Sequence, residues 1–106
     1  MLDKHKKDNS KIVFLQQNAD RNLDLMNTCL EFAFEKHVDY ILFQEPWMSP
    51  DNMWSATHSA YFCILPENKE LRSRVAIYAR KSSRFQSCLR SDLCSSNDLM
   101  IMDIKD

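Results

Sequence analysis

Two short apolar runs flank a segment of helical periodicity, and this pattern constrains the fold more than any other feature of the chain. The runs at residues 12–15 and 40–43 are continuous, which is typical of strands covered on both faces. A strand, helix, strand unit of this length is normally a right-handed crossover between parallel strands. We therefore predict a first strand at residues 11–17 and a second, parallel strand at residues 38–43.

The connecting segment has the period of an amphipathic helix. Apolar side chains recur at steps of three and four at Leu23, Met26, Leu30 and Ala33. Asn22 is the predicted cap, and Lys36 lies near the end of the helix where positive charge is favoured. We expect Met26, Phe32 and Phe34 to pack in the core.

The remainder of the chain predicts an α/β fold with a mixed sheet. Three further strands are predicted at residues 61–65, 74–80 and 99–104. Residues 81–97 are mostly polar and indicate a connection, and residues 1–10 form a polar, basic tail. The prediction is thus one domain at residues 11–106, with about five strands and one main helix.

Composition excludes several function classes. The chain has no glycine, so the glycine-rich phosphate loops of kinases, GTPases and Rossmann proteins are excluded. Turns that need positive φ must then use Asn or Asp, and Asn52, Asn68 and Asn97 are the candidates. The formal net charge of −1 gives no overall attraction to nucleic acid, although a local basic face is compatible with it.

Cysteine spacing and hydropathy indicate an intracellular protein. The four cysteines show no Cys-x-x-Cys spacing, and the three histidines do not lie at finger-like intervals from them, which argues against a zinc site. No apolar run approaches the roughly 18 residues of a membrane-spanning helix. We expect reduced thiols, no membrane partner, and a nuclear or cytoplasmic location.

Polar side chains follow both predicted parallel strands at the point where each strand ends. Asn18 closes the first strand, and Glu45 follows the second, within the segment Gln44-Glu45-Pro46-Trp47. Because the carboxyl ends of parallel strands meet at one edge of a sheet, Asn18 and Glu45 can meet there. A carboxylate is a ligand that Mg²⁺ commonly uses, together with waters and substrate phosphate. The sequence therefore suggests a metal and phosphate site.

This arrangement, Leu15-Gln16-Gln17-Asn18 and then Gln44-Glu45-Pro46-Trp47 after a helix-length connection, resembles the amino-terminal half of the endonuclease/exonuclease/phosphatase family. It is most similar to the endonuclease domain of fungal non-LTR (LINE-like) retrotransposons, part of their reverse-transcriptase polyprotein. The resemblance covers residues 11–106. It implies the amino-terminal half of a four-layer α/β/β/α sandwich and Mg²⁺-dependent, or Mn²⁺-dependent, hydrolysis of DNA phosphodiesters.

The resemblance also implies roles for individual residues. Glu45 corresponds to the metal ligand, and Asn18 to a residue that orients the carboxylate or the phosphate. The family's catalytic tyrosine, its Asp-x-Asn pair and its late Asp and His lie in the second half of the domain. Neither a Gly-Asp-x-Asn nor a Ser-Asp-His segment occurs in the 106 residues. We therefore expect this chain alone to be inactive, or nearly so.

A missing partner sheet would leave one sheet face uncovered. The expectation is that residues such as Phe14, Phe43 and Ile77 are exposed, which would lower the stability of the chain and favour its self-association.

Interleaved cations and aromatic side chains suggest contact with DNA. The candidates are Trp47, Arg74, Arg80 and Lys81. Arg74 resembles a recurrent arginine of the retrotransposon pattern, while an ordinary solvated face explains the cations equally well.

Two other functions stay open. One is a non-catalytic, degenerate remnant that binds nucleic acid or protein. The other is a sugar or lipid phosphatase relative, although Pro46-Trp47 after the acid looks more like the retrotransposon enzymes.

Overall fold

The structure, a computed structural model, describes residues 11–66, 72–90, 92 and 99–106. The predicted tail at residues 1–10 lies outside these residues. The described residues form a mixed α/β fold of one helix and six strands: β1 (Phe14–Asn18), α1 (Leu23–Glu35), β2 (Tyr40–Gln44), β3 (Tyr61–Ile64), β4 (Val75–Arg80), β5 (Gln86–Leu89) and β6 (Met102–Lys105).

Four of the strands form one mixed sheet in the order β1-β2-β4-β3. β1 and β2 are parallel neighbours, so the predicted parallel pair is confirmed, with Asn18 opposite Gln44. β4 runs antiparallel to both β2 and β3. The carboxyl ends of β1 and β2 therefore lie beside the start of β4, where Val75 is opposite Gln44.

The second sheet contains a strand that the sequence did not predict. β5 pairs with β6 in an antiparallel, two-stranded sheet, although residues 81–97 were predicted as a connection. The alternation of exposed Gln86 and Cys88 with half-buried Ser87 and Leu89 is that of a strand with one covered face. Two of these four side chains are polar and one is a cysteine, so the apolar signal was too weak for the prediction.

Helix α1 begins and ends as predicted. The Asn22 side-chain Oδ1 accepts a hydrogen bond from the Leu25 amide at 3.0 Å, which caps the first turn. Met26, Leu30 and Ala33 are completely buried against the sheet. The prediction for Phe32 and Phe34 was wrong, since they are 50% and 40% exposed. Phe32 follows Leu30 by two residues, roughly 200° around the helix, and so faces away from the core.

The helix ends in a Schellman motif without glycine. The Val38 amide donates to the Ala33 carbonyl at 3.0 Å, and the His37 amide donates to the Phe34 carbonyl at 3.3 Å. His37 takes a φ of 57°, the left-handed conformation that glycine adopts without steric cost. Val38 and Ala33 are both buried in the core, which supplies the apolar contact typical of this motif.

We expect His37→Gly to stabilise the protein by about 0.5–1 kcal/mol, because glycine removes the left-handed strain at this position. Denaturant titration at neutral pH measures the effect. Glu35→Gly is the matched control, since it places glycine at the last helical residue, where φ is right-handed, and is expected to destabilise by about 0.5 kcal/mol. Equal losses from both changes would show that His37 carries no backbone strain.

The two faces of the four-stranded sheet differ in their cover. Helix α1 covers one face, where Phe43 is 1% exposed. On the other face, Ile77 is 8% exposed and packs in a cluster with side chains from the β5–β6 region, including Met102 and Ile104. The expectation that Phe43 and Ile77 are uncovered was therefore wrong. Phe14 is 51% exposed, as expected, because β1 lies at the edge of the sheet.

Buried Asp39 ties three parts of the fold together. Its carboxylate accepts hydrogen bonds from the Val13 amide at 2.8 Å and from the Ser83 hydroxyl at 2.9 Å. Its main-chain carbonyl accepts one from the Arg80 amide at 2.8 Å. The side chain is wholly inaccessible to solvent. Asp39 thus joins the segments before β1, before β2 and after β4.

No helix within the described residues has the length and apolar character needed to cross a bilayer.

Candidate metal and phosphate site

An open cleft lies at the end of the four-stranded sheet where β1 and β2 finish and β4 begins. Its volume is about 280 Å³, and it is lined by Asn18, Gln44, Glu45, Arg74 and Val75. The cleft follows from the strand directions, since the carboxyl ends of parallel strands meet at one edge. The structure thus brings the predicted residues Asn18, Glu45 and Arg74 together, while their roles in binding and catalysis remain predictions.

Main-chain hydrogen bonds fix the three segments around the cleft. The Ala19 amide donates to the Gln44 carbonyl, and the Glu45 amide donates to the Arg74 carbonyl, each at 2.8 Å. The Arg21 amide in turn donates to the Glu45 carbonyl at 2.8 Å. The main chain of Glu45 is therefore hydrogen-bonded to both neighbouring segments. These bonds hold the Cα atom from which the Glu45 side chain extends.

The segment between β1 and α1 makes a tight turn without glycine. The Asn22 amide donates to the Ala19 carbonyl at 2.9 Å, and the central residues Asp20 and Arg21 have φ values of 50° and 54°. Two positive φ values at the centre are typical of a type I′ turn. Asn18 supports this turn, because its side-chain Oδ1 accepts a hydrogen bond from the Asp20 amide at 2.8 Å.

The prediction that Asn or Asp takes the positive φ values is met only in part. The described residues with positive φ are Asp20, Arg21, His37, Glu45 and Met53. Asn52 is not among them, because its side chain accepts a hydrogen bond from the Trp54 amide and the left-handed conformation falls on Met53. The other two candidates, Asn68 and Asn97, lie outside the described residues.

The carboxylate of Glu45 is already paired. Arg21 Nη2 lies 2.5 Å from Glu45 Oε2, and both side chains are partly exposed, at 40% and 33%. Arg74 lies on the wall of the cleft, and Asp20 lies in the same turn as Arg21. Guanidinium groups match the geometry of a phosphate well, so Arg21 and Arg74 are the groups here that suit one.

A divalent cation fits the donor types of this cleft. Glu45 offers carboxylate oxygens, and Gln44 and Asn18 carry amide oxygens, of which Asn18 Oδ1 already accepts the Asp20 amide. Such oxygens are hard ligands suited to Mg²⁺. Within the described part of the chain, no three acidic, histidine or cysteine side chains form a metal-binding group. One carboxylate can hold Mg²⁺ when waters complete the coordination, and a substrate phosphate strengthens the binding by replacing some of them. The cleft therefore fits a weakly held metal that binds more tightly together with a phosphate.

Arg80 and Lys81, which were also predicted to contact DNA, lie at the other end of the sheet. Tyr61 is opposite Arg80 in the β3–β4 pair, at the far end of the sheet. The Arg80 guanidinium donates to the Phe34 carbonyl at 3.1 Å and lies over the Phe34 ring, so it caps the end of α1. Lys81 follows directly and lies over the exposed Phe62 ring. Trp47 follows the cleft segment, but its half-buried ring packs against the helix-side core.

Candidate acid and base groups also lie elsewhere. His58 Nε2 contacts Glu31 at 3.0 Å, while His58 Nδ1 accepts a hydrogen bond from the Ala60 amide. This ring joins the loop before β3 to helix α1 and does not approach the cleft. Burial raises the pKa of Tyr78 far above its usual value, and burial also raises the pKa of Tyr61. Neither phenol is therefore set up to act as a base near neutral pH.

Sequence analysis did not identify Arg21 or Gln44 as site residues. The sequence pattern indicates Gln44 only as a neighbour of Glu45 and does not indicate Arg21. Arg21 nevertheless lies in the loop that leaves the carboxyl end of β1. Ligands of open α/β sheets are commonly bound by such loops, and this rule was the available signal.

Comparisons of the chain with protein-family models, with curated proteins and with solved structures found no match, so its function has to be inferred from these residues themselves.

Proposed function

We propose that this chain is the amino-terminal half of a Mg²⁺-dependent DNA endonuclease domain of the endonuclease/exonuclease/phosphatase type, as in the polyproteins of non-LTR retrotransposons. The cleft at Asn18, Glu45 and Arg74 would be its metal and phosphate end. The observation that carries this proposal is that an amide, a carboxylate and a guanidinium meet at one end of a sheet. They come from three separate segments of the chain.

The layers of the fold are compatible with this proposal. Helix α1, the four-stranded sheet and the β5–β6 sheet follow one another in that order. They would form three layers of a four-layer α/β/β/α sandwich, with the second sheet incomplete. The remaining strands and the outer helix would come from a carboxy-terminal half.

Each residue of the cleft would have a distinct task. Glu45 would hold the metal through its carboxylate, on a backbone fixed by Arg74 and Arg21. Asn18 would orient the carboxylate or the phosphate with its side-chain amide, and Arg74 would bind the phosphate. When bound, Mg²⁺ supplies Lewis-acid stabilisation of charge on the phosphate oxygens. Mn²⁺ offers similar chemistry and is the expected substitute.

Metal-dependent DNA binding tests the proposal. We expect the chain to bind a short DNA duplex more tightly in Mg²⁺ than in a chelator, and Glu45→Gln to remove this difference. Arg74→Ala should lower the slope of log affinity against log salt by about 1, since one phosphate contact is lost. Lys105→Ala removes an exposed cation on β6 and is the matched control. Fluorescence anisotropy at several salt concentrations gives all of these values.

A non-catalytic binding module is the second candidate. The ion pair between Arg21 and Glu45 favours it, because the guanidinium already balances the charge of the carboxylate without a metal. Binding of equal strength in Mg²⁺ and in chelator, still weakened by Arg74→Ala, would identify such a module. No difference among wild type, Arg74→Ala and Lys105→Ala would contradict both functions for the cleft.

We further propose that the chain self-associates through the partly uncovered sheet face. Phe14 and Phe62 lie on this face, at opposite edges of the sheet, and are 51% and 57% exposed. We expect light scattering to show a mass above that of the monomer at high concentration, and the Phe14→Gln, Phe62→Gln double variant to be monomeric. A monomeric wild type with unfolding independent of protein concentration would contradict this expectation.

A further inference from the structure

Arg21 lies on the one carboxylate that the proposed function assigns to the metal. Its guanidinium contacts Glu45 Oε2 at 2.5 Å, and its main-chain amide donates to the Glu45 carbonyl. The guanidinium occupies one of the two oxygens of this carboxylate, and its positive charge opposes the approach of a second cation. Arg21 is therefore placed to compete with the metal for Glu45.

The backbone holds this pair in an unusual conformation. Asp20, Arg21 and Glu45 all have φ between 50° and 54°, a region that residues with a Cβ atom seldom occupy. Residues kept in such conformations cluster at functional sites, where surrounding hydrogen bonds enforce them. Here the enforcing bonds are the Ala19–Asn22 turn and the bond between Arg21 and Glu45. The strain is concentrated where the two charged side chains meet.

The chemistry of a guanidinium group suggests where Arg21 goes when a metal binds. Its planar donors fit the oxygens of a phosphate as well as they fit a carboxylate. Both side chains of the pair are partly exposed, so the bond is screened by water and is weak enough to be exchanged. A metal on Glu45 would repel the guanidinium, and a phosphate bound to that metal would attract it.

We propose that Arg21 is an exchangeable counter-ion of this cleft. It neutralises Glu45 when no metal is bound, and it moves to a phosphodiester oxygen of nucleic acid when a divalent cation takes Glu45. This inference rests on the proposed metal role of Glu45 and adds a consequence to it. Metal and nucleic acid therefore bind cooperatively. A metal on Glu45 releases Arg21 to the nucleic acid, and nucleic acid on Arg21 releases Glu45 to the metal.

Arg21→Gly tests the exchange without disturbing the turn, because glycine accepts a φ of 54° at no steric cost. The probes are Mn²⁺, followed by electron paramagnetic resonance, and a short single-stranded oligothymidylate. Without the oligonucleotide, we expect Arg21→Gly to bind Mn²⁺ about fivefold more tightly than wild type, the range of a partly exposed ion pair. In wild type the oligonucleotide should tighten Mn²⁺ binding several-fold, and in Arg21→Gly this coupling should be lost.

Two further variants separate the outcomes. Arg84→Ala removes one positive charge at an exposed position paired with Asp106, so it controls for net charge and should leave Mn²⁺ affinity unchanged. Glu45→Gln should abolish the Mn²⁺ binding. If Mn²⁺ binding depends on Glu45 but Arg21→Gly neither tightens it nor loses the coupling, the exchange is overturned and the proposed function stands. If Mn²⁺ binding does not depend on Glu45, the metal role fails, and the exchange fails with it.

Discussion

Replacement of Asp39 with alanine is expected to destabilise the fold by about 3 kcal/mol, because it leaves two donors without their acceptor. Both hydrogen bonds are partly buried, so the Val13 amide and the Ser83 hydroxyl would have to find other partners in the protein or water, or stay unpaired. Each donor left unpaired away from water costs roughly 1–3 kcal/mol. Denaturant titration followed by circular dichroism measures the loss.

Two companion variants show whether the hydrogen bonds are responsible. Asp39→Asn keeps the shape and one acceptor oxygen, so its loss should fall between those of wild type and Asp39→Ala. Asp103→Ala removes an exposed aspartate that contacts Arg90, and its effect should be much smaller because water replaces the contact. If Asp39→Ala unfolds at the same denaturant concentration as wild type, Asp39 does not hold these segments together.

Supercoiled plasmid should remain almost intact when it is incubated with this chain and Mg²⁺. Phosphodiester hydrolysis needs a group that activates water and one that supports the leaving oxygen. In the described part of the chain, the candidate base His58 is bonded to Glu31 and Ala60, away from the cleft. Loss of general acid and base assistance typically costs a factor of about 10²–10⁴ in rate.

The nicking assay includes Glu45→Ala as its reference. Wild type should be no faster than this variant, and both should stay near the background of the buffer. Rapid nicking by wild type that disappears in Glu45→Ala would show that the residues of this chain suffice for catalysis. The assignment of the catalytic groups to a carboxy-terminal half would then be wrong.

Much of the sheet and its helix could be predicted because the local signals were strong and agreed with one another. The stripe from Leu23 to Ala33, together with the Asn22 cap, indicated the helix, and the run at residues 40–43 indicated β2. Periodicity shows that a helix has an apolar stripe, but it shows less well which of the side chains beside that stripe face the core. The two phenylalanines near the end of the helix were therefore assigned to the core, although cations cover them at the surface instead.

Properties that depend on neighbours in space were predicted less well. An apolar run looks alike in a central strand and at a sheet edge, so the position of β1 at the edge of the sheet could not be inferred from its own segment. β5 is recognised by its pairing with β6 and carries little apolar signal of its own. Without a pairing partner, such a strand cannot be distinguished from a polar connection.

The cleft was predicted in part, for a physical reason. Parallel strands bring Asn18 and Glu45 to one edge whatever the details of the loops, and this outcome needs only strand direction. Arg21 depends on a turn of positive φ formed without glycine, which the sequence does not reveal. Arg74 and Arg80 are close in sequence, yet β4 separates them by the length of a strand, so only Arg74 reaches the cleft.

Paramagnetic broadening by Mn²⁺ tests the central claim, that the end of the sheet at Asn18 and Glu45 binds a divalent cation. Amide resonances of the ¹⁵N-labelled chain would be followed during titration with Mn²⁺, in wild type and in Glu45→Gln. We predict that Asn18, Gln44, Glu45 and Arg74 broaden first, and that Glu45→Gln removes this selectivity. Broadening that begins at exposed acids elsewhere, such as Asp103, and is the same in both proteins would contradict the assignment of a metal site to this cleft.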